Sequence, residues 1–409
     1  MNANRRAFLT SLTGLIPGLA GAQEDRLPPV RPITRGPKFH WFGYYDKLQF
    51  DPSGRYALGM EVDFEHRSPR LDDPIRIGMV DLEDHDRWIE LGESRAWNWQ
   101  QGSMLQWLPG SKSEIIWNDR PGDRFVCHIL DVQSGKKRTL PAPVYALAPG
   151  ARWAVAPDFR RLNDTRPGYG YAGLPDPNQH VLAPEDAGIW RLDLHSGKQQ
   201  LILSFAQAVR VTNPGADWTG AKHWFNHLLV SPDGSRFIFL HRWRGPKEGK
   251  GFATRMFTAN PDGTDLYVLD PYGKTSHFIW RGPRHVLAWA WHPSHGEKFY
   301  LYEDRTANVQ VVAPEVMTVN GHCSYLPSNR WILNDTYPDK QRNQNPYLYD
   351  TRQRRRVPLG HFRSPPEYAG EWRCDLHPRF SPDGRKVIID SPHGSQGRQM
   401  YLLDLWGML

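Results

Sequence analysis

Val230-Ser-Pro-Asp-Gly-Ser-Arg-Phe-Ile-Phe-Leu240 and Phe380-Ser-Pro-Asp-Gly-Arg-Lys-Val-Ile-Ile-Asp390 are two copies of one unit. In each, an apolar residue runs into a Pro-Asp-Gly turn, and the turn runs into a stretch of aromatic or β-branched residues. That is the signature of one strand reversing into another. Looser copies are Phe50-Asp-Pro-Ser-Gly54, Trp107-Leu-Pro-Gly110, Leu147-Ala-Pro-Gly150, Trp280-Arg-Gly-Pro283 and Tyr325-Leu-Pro-Ser328, which makes seven. A second feature alternates with the first along the chain. It is a strand leading into an outer hairpin: Ile77-Gly-Met-Val-Asp81, Phe125-Val-Cys-His-Ile-Leu-Asp131, Ile189-Trp-Arg-Leu-Asp193 and Met256-Phe-Thr-Ala-Asn260. Phe299-Tyr-Leu-Tyr302, Tyr347-Leu-Tyr-Asp350 and Met400-Tyr-Leu-Leu-Asp404 bring this count to seven as well. Period-2 patterning with turns and no helical heptads excludes a helical solenoid. The prediction is all-β: a seven-bladed β-propeller of four-stranded antiparallel blades.

Composition agrees. Aromatic residues make up 12%, with 17 Trp, and the 36 Gly and 35 Pro supply many tight turns. The chain of 409 residues is long for one compact domain and ordinary for a propeller, so residues 23–409 are expected to form one domain. Residues 1–22 read as a twin-arginine signal: Arg5-Arg6 precede the short apolar run Leu9 to Ala20, and Ala20-Gly21-Ala22 offers a cleavage site. A periplasmic or secreted protein is therefore expected, with no membrane span. Cys127, Cys323 and Cys374 are odd in number and far apart, so no disulfide framework is expected. Net charge is +7 without any nucleic-acid-reading motif, which favours an acidic polysaccharide over nucleic acid as partner. A monomer is expected.

Aligning the repeats on the Pro turn exposes a common position four residues before it. Blades four to seven carry His227, His277, His322 and His377 there; blades one to three carry Lys47, Met104 and Val144. Inner strands of a propeller start at one rim of the channel, so these imidazoles should converge. Cys374 lies three residues before His377, and His277, His322, Cys374 and His377 make a candidate shell of three nitrogens and one sulfur. Zinc is favoured over manganese, and Cys323 competes for the sulfur position. The stretch 160–188 interrupts blade three with Arg166-Pro-Gly-Tyr-Gly-Tyr-Ala-Gly173, a long loop of the kind that binds ligands. Arg161, Tyr169 and Tyr171 are its candidate substrate contacts.

Over roughly residues 222–395 the chain resembles the oligogalacturonate lyases and the wider group of propeller polysaccharide lyases. His227, Ser231-Pro-Asp and Leu240-His241-Arg-Trp resemble the lyase segment that ends in a Cys-His-Glu-Gly-Pro-Trp rim. Ser276-His277-Phe-Ile-Trp280 resembles the segment with a metal-ligand histidine. Cys374-Asp-Leu-His377-Pro-Arg379 resembles the Gln-x-x-His-x-His metal motif, with Cys374 for the Gln and Arg379 for the last His, closer to the zinc-containing ulvan lyases. The resemblance implies a metal-containing lyase that cleaves a uronate-containing acidic glycan by β-elimination. It places His241 or His227 as base, Arg242 and Arg244 as carboxylate clamps and Tyr45 as proton donor. Two other readings stand beside it: a glycoside hydrolase on the same scaffold, with Glu61, Asp63, Asp119 and Asp335 as available carboxylates, and a non-enzymatic glycan- or protein-binding propeller.

Overall fold

In the computed structural model, which describes residues 27–213 and 215–409, the strands form seven four-stranded antiparallel sheets. The targeting segment read over residues 1–22 lies outside the described residues. First strands of the blades are Phe39–Trp41, Gln106–Trp107, Ala146–Leu147, Lys222–Val230, Phe278–Gly282, Ser324–Tyr325 and Arg379–Phe380. Each is followed by its Pro turn and a second strand, so all seven copies of that unit sit where the repeat places them. The alternating feature falls on the third strands: Ile75–Asp81, Val126–Asp131, Gly188–Asp193, Ala253–Ala259, Gly296–Glu303, Tyr347–Asp350 and Gln399–Asp404.

The turn explains why Ser-Pro-Asp-Gly recurs. In blade four the Ser231 hydroxyl donates to Asp233 (2.7 Å) and accepts the Arg236 amide (3.0 Å), while the Gly234 amide returns to the Ser231 carbonyl (2.9 Å). Gly234 has φ +73°, a region that costs a side chain energy. Blade seven repeats these bonds with Ser381, Asp383 and Gly384. Between turns, each blade buries both faces against its neighbours. From strand Phe237–Arg244, Phe237 and Phe239 pack with Ile189, Leu203 and Phe225, whereas Ile238 and Leu240 pack with Phe278 and Val286 of blade five. This two-sided burial makes the strands read as continuous apolar runs.

Two features were not evident in the repeat. Blade seven takes its fourth strand from the start of the domain: Val30–Pro32 pairs with Gln399–Asp404, Val30 opposite Leu403 and Pro32 opposite Tyr401. In blade three, the interrupting stretch opens with helix Phe159–Thr165, whose N-cap Asp158 accepts the Arg160 amide. No helix among the described residues is long and apolar enough to cross a membrane.

Candidate functional site

The aligned position lies just ahead of the first strand in most blades, and it delivers its side chains to the channel. The rings of His277 and His322 are 4.1 Å apart and those of His322 and His377 are 4.2 Å apart. His377 and His227 adopt positive φ, +43° and +48°, and His227 sits at a bulge where its strand shifts register. Both are held in a conformation rare outside glycine, which marks the position as over-determined by its surroundings.

Asp335, at the end of the second strand of blade six, organises the group. Its carboxylate lies 3.0 Å from Nδ1 of His322 through both oxygens and also accepts the backbone amides of His322 (2.7 Å) and His377 (3.2 Å). A proton on Nδ1 leaves the Nε2 lone pair of His322 free, the arrangement in which a carboxylate orients a metal-binding imidazole. The Nε2 atoms of His322 and His377 are buried and have no hydrogen-bond partner among the described residues. Burial, then His322, pushes His377 well below the usual histidine range, so its imidazole is neutral. Asp375 completes the set: single donor atoms of His322, Asp375 and His377 lie within 4.8 Å of one another. His277 stands alongside, its Nδ1 3.0 Å from Asn320 Oδ1 and its Nε2 3.4 Å from the Tyr337 hydroxyl. Orphaned imidazole nitrogens beside a carboxylate fit a divalent cation.

The structure does not bring Cys374 into this group. Residues 373–378 lie outside helix and strand, and successive side chains face opposite ways. Arg373, Asp375 and His377 face the mouth, while Cys374 and Leu376 face the interior, Leu376 in the core between blades six and seven. A three-residue spacing fits a helix; where side chains alternate, the partner of His377 is Asp375, two residues away. Burial pushes the Cys374 thiol far up. Cys323 is likewise core, packed with Leu287 and Ile332 behind His322.

Beside the group lies a histidine–carboxylate pair. Asp46 receives His227 Nε2 at 3.2 Å and Lys47 Nζ at 3.0 Å. Burial raises the Asp46 carboxyl, but Lys47 and His227 outweigh it and hold it below its ordinary value. His227 is pushed down to about 4 by burial, partly offset by Asp46, and stacks on Phe278 at 3.9 Å. With Nε2–H donated to Asp46, Nδ1 keeps its lone pair. Tyr45 is a pillar: its hydroxyl donates to the Phe278 carbonyl (2.8 Å) and accepts the Phe278 amide (3.0 Å). Its neighbour Tyr44 sits 4.8 Å from the His227 ring and 5.2 Å from that of His377, and its hydroxyl makes no bond to a described residue.

The third component is cationic. Arg242 is 5% exposed, makes no hydrogen bond to a described residue and leaves Nε and Nη1 buried without partners. Burial, then Arg166, pushes it down to about 9. Tyr169 joins this side to the metal group: its hydroxyl accepts Arg373 Nη2 (2.6 Å), and Arg373 Nε donates to Asp375 (2.8 Å). Burial raises the Tyr169 hydroxyl, but Arg373 and Arg166 outweigh it and lower it overall.

Four other predicted contacts are structural. His241 points to the opposite face from Arg242 and is saturated, Nε2 by His223 (2.9 Å) and Nδ1 by Arg255 (3.0 Å). Arg244 bonds the Gly251 and Thr165 carbonyls. Arg161 is fully buried and pins the loop through His223, Asp176, Asn178, Val181 and Leu182. Tyr171 stacks on Phe159 at 4.1 Å and accepts Asn118 Nδ2. Sequence reasoning missed Asp46, Asp335 as a histidine holder, Arg373, Asp375, Tyr44 and Arg166. The alternation around His377 was the signal that could have found Arg373 and Asp375.

The same architecture occurs in solved structures. An oligogalacturonate lyase in complex with manganese superposes with a TM-score of 0.67 at 15% identity, over 93% of this chain and 94% of that one. The fold is shared with the oligogalacturonate lyases. A second, from Vibrio parahaemolyticus, gives a TM-score of 0.66 at 13% identity, over 94% and 96% of the two chains. The β-propeller domain of the Trilobed protease from Pyrococcus furiosus gives 0.50 at 9% identity, over 90% and 94%. No protein-family model and no curated protein matches the sequence.

Proposed function

We propose that the protein is a divalent-metal-dependent polysaccharide lyase cleaving a uronate-containing acidic glycan by β-elimination. The observation that carries the reading is the convergence of the two orphaned imidazole nitrogens and Asp375 beside the free Nδ1 of His227. A lyase of this fold that holds manganese adds support. With no thiolate in the group, the softness argument for zinc goes too. A donor set of imidazoles and a carboxylate suits either metal.

His322, His377 and Asp375 would hold the ion, with His277 alongside. When bound, the ion supplies positive charge for the dianion that develops as C5 of a uronate loses its proton. His227 is the base in place of His241: Asp46 fixes its tautomer, and Nδ1 takes the C5 proton. The C5–H electron pair forms the C4–C5 double bond, the C4–O bond breaks, and the leaving oxygen takes a proton. Burial keeps the Tyr44 hydroxyl protonated, and its freedom from protein bonds makes it the donor in place of Tyr45. Arg242 offers its unpaired fork to a substrate carboxylate. Arg5-Arg6 ahead of a short apolar run supports export, which would bring the protein to extracellular acidic glycans.

A hydrolytic reading has no free carboxyl pair at the mouth among the described residues. Asp335 is committed to histidines, Asp46 to Lys47 and His227, and Asp375 to Arg373. Glu61 and Asp63 bind Lys38 and Arg76, and Asp119 binds His128. The test is a panel of uronans incubated with the metal-loaded protein, following the ultraviolet absorbance of an unsaturated uronate. The expected result is absorbance growth that His227→Ala abolishes. New reducing ends without absorbance would replace the lyase with a hydrolase, and binding without turnover on any uronan would leave a binding protein.

A further inference from the structure

The fold pairs its buried arginines. Arg161 meets Asp176, Arg236 meets Asp304, Arg379 meets Asp390 and Arg398 lies beside Glu65, while Arg255 spends its donors on His241 and two carbonyls. Arg242 is the exception, with its guanidinium buried and bonded to no described residue. A second unsatisfied guanidinium stands next to it. Arg166, just beyond helix Phe159–Thr165, leaves Nη1 buried without a partner and lies 4.3 Å over the Tyr169 ring. Both guanidiniums cover the half-exposed ring of Phe252, Arg166 at 4.6 Å and Arg242 at 4.8 Å. Two like charges over one apolar ring, with no described carboxylate paired to either, form a cationic pair that lacks its anion.

We infer that Arg166 and Arg242 form a carboxylate subsite separate from the metal group, which takes the uronate next to the one at that group. The link is Tyr169. Arg166 covers one face of its ring, and its hydroxyl is bonded to Arg373, which binds Asp375 of the metal group. A ligand with carboxylates on successive sugars spans the two, and Phe252 offers an apolar face to the ring between. Planar bidentate donors fit a carboxylate, and a sulfate ester has the same charge chemistry, so both are tested. The step from anion to uronate rests on the lyase reading; the anion subsite itself does not.

The test uses the full protein with its metal removed by chelation, so that the metal group is silent. Binding of acetate, sulfate, a di-uronate and a neutral disaccharide is measured by calorimetry for the native chain, Arg166→Gln and Arg242→Gln, each checked for native circular dichroism. The di-uronate is expected to bind, the neutral disaccharide not, and each variant to lose roughly tenfold or more in affinity, as for one charge-assisted hydrogen bond. Unchanged affinity in Arg166→Gln, the half-exposed position least able to disturb folding, would overturn the subsite. Sulfate binding above the di-uronate would overturn the uronate. The two proposals fail separately: uronan cleavage with native kcat and KM in Arg166→Gln removes the subsite and keeps the lyase. Arginine-dependent di-uronate binding without cleavage of any uronan does the reverse.

Discussion

An Arg242→Met variant is expected to be more stable than the native chain while losing its grip on substrate. Burial moves the guanidinium from its ordinary range down to about 9, and at about 1.4 kcal/mol per pH unit this is a ceiling of about 5 kcal/mol of destabilisation. Losing the contact with Phe252 at 4.8 Å offsets about 1 kcal/mol. Methionine fills the apolar part of the space, so the net gain should be about 1–4 kcal/mol, the range seen when buried charges are replaced by apolar groups. The sign follows from linkage. A cation whose folded pKa is depressed is charged in both states below about 9, so the penalty is complete there and fades as pH rises from about 9 toward the ordinary arginine range. Urea unfolding followed by tryptophan fluorescence at pH 7 and pH 10 measures it. The gain should be full at pH 7 and smaller at pH 10. A variant less stable than the native chain, or a gain that does not shrink, would refute the account of Arg242 as an unpaired buried charge.

Metal analysis should find Asp375→Asn and His322→Ala depleted of divalent ion and Asp335→Asn weakened about 10- to 100-fold, as for loss of an orienting partner, while Cys374→Ser keeps its full content. Asp270 is buried, and burial raises its carboxyl to about 6 against the Thr275 hydroxyl that bonds it. A carboxyl raised in the fold stabilises fully below its unfolded value near 3.8 and loses that contribution as pH climbs through about 6. Asp270→Asn should therefore gain up to about 3 kcal/mol at pH 8 and nothing at pH 3.5, read from unfolding midpoints. Arg161→Met should cost about 3–5 kcal/mol by stranding Asp176 and freeing the loop carbonyls, with limited proteolysis accelerating between residues 173 and 187.

The propeller was legible because its units are short and each carries its own turn chemistry. The Ser-Pro-Asp-Gly turns in blades four and seven are built from the same bonds, so a pattern in the letters is a pattern in space. The histidine position was legible for the same reason: equivalent register means equivalent placement. What failed were inferences from local spacing and likeness. Cys374 was paired with His377 at a helical interval on a segment outside helix and strand, and the alternation put Asp375 there instead. Resemblance to a lyase rim offers His241 as a base beside Arg242 as a clamp, yet one residue of pleat separates the saturated His241 from the free Arg242. Arg166 and Tyr44 are positioned by contacts with residues of other blades, which no local pattern records. The strand Val30–Pro32 is too short to alternate.

That strand gives the molecule an order of assembly. Because Val30–Pro32 completes the blade built on Gln399–Asp404, the circle stays open until both segments are present. His377 and Asp375 come from that final blade and Tyr44 and Asp46 from the first, so the seam of the ring runs through the cluster itself. A chain stopped short of residue 399 would hold most of the scaffold and no working mouth.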